Sequence, residues 1–307
     1  MRLDQYDFIQ TPDEIVSLVL GQHNNHIVVH PKYMVSGKKT PWQFLEKSWD
    51  RVANPLAPTR TNTSNWSAFL TSYGEQDYLC KPTEITKRFN AVEAARKLVL
   101  NDSSNPHLSR IRQLLLALAP IVPNNQVGIT GGAALGFGVE GFSDIDLVIG
   151  QQAYAAFAAN VETIPDVHLR TRSEWTQFYS QYTIMSHVTA DEFAGQMLRK
   201  RTQFIYDGVP TSVFVAPADL PELAPYSKGE NAQTLEGVVI DDSDAILLPA
   251  QYVMQCGERT IRLQSRDRTA IELARIGERV RARGAAFPNS SSLLIRPGTT
   301  DTLEVMQ

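Results

Sequence analysis

The chain has 307 residues, 29 Lys and Arg against 33 Asp and Glu, and 43% hydrophobic residues. That composition is ordinary for a folded protein of two or three domains and excludes a disordered or fibrous one, while a formal net charge of −4 argues against a general nucleic-acid binder and leaves room for a local basic groove. The longest apolar run, Leu114–Val122, is too short to span a membrane and contains Pro120, the N-terminus shows no basic-then-apolar leader, and the two distant thiols Cys80 and Cys256 fit a reducing cytoplasm better than a disulfide framework.

Residues 1–90 read as a mixed α/β segment. Ile15–Leu20 and His26–Met34 have strand patterning, Pro41–Val52 spaces its apolar residues like an amphipathic helix, and the polar, proline-punctuated Ala53–Ser64 reads as a surface connection. His23, His26 and His30 are close in sequence, but a strand over His26–His30 puts only two of them on one face and secures no third zinc ligand. Trp42, Trp49, Trp66 and Trp175 read as core or domain-contact aromatics rather than a base-stacking platform.

Residues 91–228 hold the main chemical signal. Apolar spacing predicts helices over Pro82–Leu100 and His107–Leu118, and then a buried strand, Gln126–Thr130, runs into Gly131-Gly132. A glycine turn there lets a phosphate approach the backbone, and the amides of the following helix face an anion. Next comes Ser143, then Asp144-Ile145-Asp146 inside the apolar run IDLVI. On a strand the two aspartates project to one side and Ile145 to the other. Two carboxylates in so small a volume repel unless a cation joins them, and hard oxygen ligands suit Mg²⁺ or Mn²⁺. Helices are then expected at Gln151–Glu162 and at Asp191–Gln203, the latter ending in Arg199-Lys200-Arg201, and a strand at Thr211–Ala216 after the Asp207-Gly208 turn.

Gly131-Gly132 followed by Asp144-Ile145-Asp146 resembles the signature of the DNA polymerase β-like nucleotidyltransferase superfamily. The wider order is similar to uncharacterised nucleotidyltransferase-domain proteins found mainly in archaea: an opening DFIQTPDEIVSLVL, the SDIDLVI core, an RKR-bearing helix and a tail with VVIDDSDAILLPAQY. The resemblance implies a central nucleotidyltransferase domain that takes an NTP such as ATP as substrate and uses Mg²⁺ or Mn²⁺ held by Asp144 and Asp146. Gly131, Gly132 and Ser143 would bind the nucleotide. Read from the residues themselves, the three cations Arg199-Lys200-Arg201 either just favour the dipole of the helix they end or reach the triphosphate, with Lys200 or Arg201 neutralising the departing pyrophosphate. The resemblance also implies a third acid on a later, adjacent strand, and at that place this chain has Ser212. Either the two aspartates and the substrate phosphates suffice, or Asp207 or a tail carboxylate substitutes, or the site binds nucleotide without turnover.

Residues 229–307 change texture. Short strands at 235–240, 246–254, 259–264, 278–284 and 292–296, with Gly257, Gly277 and Gly284 between or beside them, point to a small barrel of the oligonucleotide-binding type. Arg259, Arg262, Arg266 and Arg268 offer RNA or another anionic partner a surface, offset by Glu236, Asp241, Asp242, Asp244, Glu258 and Glu272. The expectation is an α+β protein of three parts that moves an NMP from an NTP to an acceptor hydroxyl. The alternatives are a degenerate nucleotide or RNA binder and an adenylyltransferase of a protein or small molecule.

Overall fold

The computed structural model describes residues 2–52, 77–179, 188–223, 232–265, 267–286, 291–295 and 301–306, with backbone alone at Ser67 and Ala68. Its first part is an eight-stranded sheet of β1 (Phe8–Gln10), β2 (Ile15–His23), β3 (His26–Val35), β4 (Trp42–Phe44), β5 (Lys47–Arg51), β6 (Ser67–Ala68), β7 (Tyr78–Cys80) and β8 (Lys87–Phe89). The order is β4-β5-β3-β2-β1-β8, with β7 pairing both β3 and β6. β2 and β3 form a long hairpin across Asn24-Asn25, whose positive φ values of 46° and 64° suit asparagine. The strands feed two apolar clusters. One gathers Ile9, Val19, Ile27, Val29 and Cys80, the other Phe8, Val16, Tyr33, Phe44 and Trp49.

The helix expected over Pro41–Val52 is instead the β4–β5 hairpin. Leu45 and Glu46 take positive φ at its turn, Trp42 faces Trp49 across the strands, and the Phe44 and Trp49 rings stack at 4.4 Å. The buried Trp49 indole donates to the Phe44 carbonyl at 2.8 Å. Burying two large rings against the sheet outweighs the modest helix preference of Leu and Glu, which is worth only tenths of a kcal/mol per residue, about 0.5 at most.

The helix expected from Pro82 begins later. A 3₁₀ turn at Pro82–Glu84 and strand β8 come first, and α1 (Ala91–Leu100) starts after Asn90, whose side chain accepts from the Glu93 amide at 2.9 Å. Then follow α2 (Pro106–Leu118), β9 (Val127–Ile129), α3 (Gly131–Ala134), β10 (Ile145–Gly150), α4 (Gln151–Asn160), β11 (Val167–Leu169), α5 (Arg172–Phe178), α6 (Ala190–Met197), β12 (Gln203–Tyr206) and β13 (Val209–Ala216). The five strands form a mixed sheet, β11-β12-β13-β10-β9, with β10 parallel to β13 and antiparallel to β9. Ile145, Leu147 and Ile149 are fully buried, so the period-two pattern read in the sequence orients β10.

The C-terminal strands are β14 (Ala232–Asp241), β15 (Ala250–Cys256), β16 (Arg259–Ser265), β17 (Arg279–Ala286), β18 (Ser292–Ile295) and β19 (Thr302–Val305). Five of them close into a barrel in the order β14-β15-β16-β18-β17, with β17 returning to β14, while β19 lies along β17. Only β16 and β18 run parallel among these pairs. Tyr252, Met254, Ile261, Leu263, Val280 and Leu293 fill the interior, and Trp175, Phe193 and Met197 of α5 and α6 pack into the same core.

The protein is thus α+β, but its packing does not follow the three expected parts. One compact unit joins the described residues up to His168 with those from Phe204 onward to Leu223; the other joins α5, α6 and the C-terminal strands. Among the described residues of the first 90, the elements are the strands of one sheet and a 3₁₀ turn, in place of the expected mixed α/β segment. Among the described residues no helix is long and apolar enough to cross a membrane.

Candidate functional site

The Asp pair lies at one end of β10, within the first unit. Asp144 precedes the strand and is exposed; Asp146 is its second residue and is half-buried. The Asp146 carbonyl accepts from the Thr130 amide at 2.9 Å, and the Thr130 hydroxyl donates to the Tyr6 carbonyl at 2.9 Å, so the end of β9 is tied to β10 and to the N-terminal segment. The chain then turns through Gly131 with φ of 64°. A Cβ on Gly131 would lie 2.6 Å from Asp146 Oδ2, inside van der Waals contact, so glycine here is what lets the carboxylate rest against the turn. Gly132 has a different reason: a Cβ there would meet the Phe137 ring at 2.8 Å.

Across the sheet, Ser212 is the direct partner of Asp146 in the parallel pairing of β10 and β13. The residue that faces the aspartate from the neighbouring strand is therefore a half-buried hydroxyl, not a carboxylate. Asp207 is committed elsewhere: its Oδ2 accepts from Arg110 Nε at 2.7 Å, and the same guanidinium reaches Glu140 at 3.1 Å. These hydrogen bonds raise Arg110 above the ordinary arginine value, burial working against them. Ser143 is part of the backbone of the site, its hydroxyl accepting from the Val139 amide at 2.9 Å.

Behind the pair stands His107, buried in the first turn of α2. Burial pushes its imidazole down, opposed chiefly by Glu140 and in smaller part by a hydrogen bond to the Asp144 backbone. Asn105 accepts from the His107 and Leu108 amides at 2.9 and 3.2 Å and donates to the Gly138 carbonyl at 2.9 Å. One helix N-terminus therefore clamps both ends of the loop that delivers Asp144.

The opposite wall comes from the N-terminal sheet, which no motif in the sequence connects to the site. Tyr33 on β3 meets Phe137 and Phe44 edge-on, each at 5.6 Å. Burial pushes its phenol up to about 12; of the charges around it, Arg51 opposes the shift and Asp146 and Asp144 add to it. Arg51 is the cross-strand partner of Tyr33 and is exposed. One buried phenol thus feels the charges of Arg51, Asp146 and Asp144.

Lys200 and Arg201 belong to the other unit. α6 ends at Met197, so the three cations lie beyond the helix rather than in its last turn. Lys200 is 2% exposed, and its ammonium donates to the carbonyls of Arg268, at 2.8 Å, and Ile271. Burial pushes it down to about 8. A group so enclosed serves the barrel's packing, which corrects the expectation that it reaches pyrophosphate. The Arg201 amide donates to the buried Glu272 at 2.8 Å, and Arg199 forms a two-pronged pair with Glu278 at 2.8 and 2.6 Å. Arg259 and Arg262 are exposed on β16, whereas Arg266 lies outside the described residues, as do Trp66 and the Ala53–Ser64 connection.

The histidines near the N-terminus have separate partners: His23 with Glu222 at 3.3 Å, His30 with Asp77 at 3.1 Å, and His26 with the Asn24 carbonyl at 3.1 Å. Among the described residues, no group of three or more His, Cys, Asp or Glu is placed to hold a metal ion. Comparison with protein-family models, with curated proteins and with solved structures finds no match.

Proposed function

We propose that the protein is a nucleotidyltransferase that moves an NMP from an NTP to an acceptor hydroxyl. The observation that carries this reading is the approach of the Asp146 carboxylate to the Gly131 turn, with Asp144 two residues ahead in the chain. The donor set fits Mg²⁺ or Mn²⁺, since such a cation is commonly held by one or two carboxylates and completes its shell with water and substrate phosphates. When bound, it supplies positive charge to the phosphates.

The chain's own residues do the rest. Asp144 and Asp146 would hold the cation, and Gly131, Gly132 and Ser143 would shape the turn that the triphosphate enters. Arg51, exposed on β5 opposite Tyr33, would take the place foreseen for Lys200 as a cation for the phosphates. The acceptor hydroxyl oxygen would form a bond to the α-phosphorus and release its proton to solvent as the bond to the bridging oxygen breaks and pyrophosphate leaves. The barrel has the strand order of an oligonucleotide-binding fold, and its second and third strands present Gln251, Gln255, Arg259, Arg262 and Gln264 outward or at half-exposed positions, which supports RNA as the acceptor.

A second reading, a binder that has lost turnover, is favoured by Ser212 in the place facing Asp146. Metal-dependent ATP binding and transfer measured for the parent, Asp144→Asn and Ser212→Asp separate the two. An enzyme loses both binding and transfer in Asp144→Asn with its melting temperature little changed, and is impaired or indifferent in Ser212→Asp. A degenerate binder shows no transfer until Ser212→Asp restores it.

A further inference from the structure

Phe142 is 90% exposed, and among the described residues it is the one aromatic in the exposed large apolar set. Such a side chain is common enough singly at a surface, but this one sits two residues before Asp144 on a loop held by several hydrogen bonds. The Phe142 and Ser143 amides both donate to the Val139 carbonyl, at 3.0 and 2.9 Å, and the Val139 amide donates to the Ser143 hydroxyl at 2.9 Å. Arg110 holds Glu140 at 3.1 Å, Asn105 holds the Gly138 carbonyl at 2.9 Å, and Gly141 takes the φ of 77° that the turn needs. A ring held out to solvent on a fixed support loses little freedom on binding a flat partner.

We propose that Phe142 is a stacking platform for a nucleobase brought to the aspartate pair, an inference that rests on the nucleotide reading of that pair. The chemistry fits: a base offers a flat face whatever its identity, stacking on an exposed phenyl ring needs no hydrogen-bond partner, and Phe142 stands two residues before Asp144 with its ring 90% exposed. The base can belong either to the donor nucleotide or to a single-stranded acceptor.

The test is equilibrium binding of two probes, ATP with Mg²⁺ and a labelled single-stranded oligouridine, to the parent and to Phe142→Ala, Phe142→Leu and Phe142→Trp. All four chains should melt alike, because the side chain is not packed. Stacking predicts that Ala and Leu weaken one probe on the order of tenfold while Trp keeps the affinity and has its fluorescence quenched on binding. Loss in the ATP arm assigns the base to the donor, and loss in the RNA arm assigns it to the acceptor. Binding by the parent that Phe142→Ala leaves unchanged overturns the inference alone. Failure of the parent to bind either probe overturns the nucleotide reading of Asp144 and Asp146, and the inference with it.

Discussion

Gly131 carries a constraint that can be read at a single atom. With φ of 64° and Asp146 Oδ2 at 2.6 Å from the missing Cβ, any side chain there is strained twice, once by backbone conformation at about 1 kcal/mol and once by collision with the carboxylate. Gly131→Ala is therefore expected to lower the melting temperature by several degrees and to weaken metal-dependent ATP binding, because the relief comes by moving Asp146. A variant that melts and binds like the parent contradicts the close approach. The Gly-Gly turn and the alternating IDLVI run are visible in the sequence because each is a local signal. Tyr33, which feels the charges of Asp144 and Asp146, is not, because its place comes from a sheet formed by residues far away along the chain.

At the scale of elements, Lys200 shows how a surface motif becomes a core one. Three cations in a row read as the exposed end of a helix, but α6 stops at Met197 and the next residues turn so that the ammonium enters the carbonyls between β16 and β17. Its folded value of about 8 lies below the ordinary 10.5. Below about 8, folded and unfolded chains both hold this proton and the group adds no pH dependence. From there to 10.5 only the unfolded chain holds it, so stability rises with pH through that window, by on the order of 3 kcal/mol. Urea unfolding of the parent and Lys200→Met between pH about 8 and about 10 isolates the effect; equal slopes in the two proteins would remove it. The β4–β5 hairpin was illegible for a related reason. Its turn residues Leu45 and Glu46 carry none of the Asn, Asp or Gly chemistry that marks such turns, and only the pairing of Trp42 with Trp49 explains them.

For the whole molecule, the five barrel strands were legible from their alternation and glycine turns, whereas the boundaries of the packed units were not. Boundaries read from texture fall near 90 and 228. The first runs through the middle of one packed unit, and the second separates the barrel from α5 and α6, which lend Trp175, Phe193 and Met197 to its core. A fragment of residues 229–307 should therefore fail to fold cooperatively, giving a broad thermal transition and binding an apolar dye, while the full chain melts sharply. A sharp transition in the fragment would show that the barrel needs no such cover. The strand order of the mixed sheet, with β10 between β9 and β13, brings the end of the Gly-Gly strand and the Ser212 strand to either side of Asp146. That arrangement makes the aspartate pair the centre of the functional proposal.

The most direct measurement is label transfer from each of the four α-labelled NTPs, with Mg²⁺ or Mn²⁺, into total RNA, the protein itself and small molecules, beside an Asp144→Ala/Asp146→Ala variant. The parent should show metal-dependent transfer that vanishes in the variant. Transfer that persists in the variant, or a parent that neither transfers label nor binds NTP with metal, would contradict the nucleotidyltransferase reading.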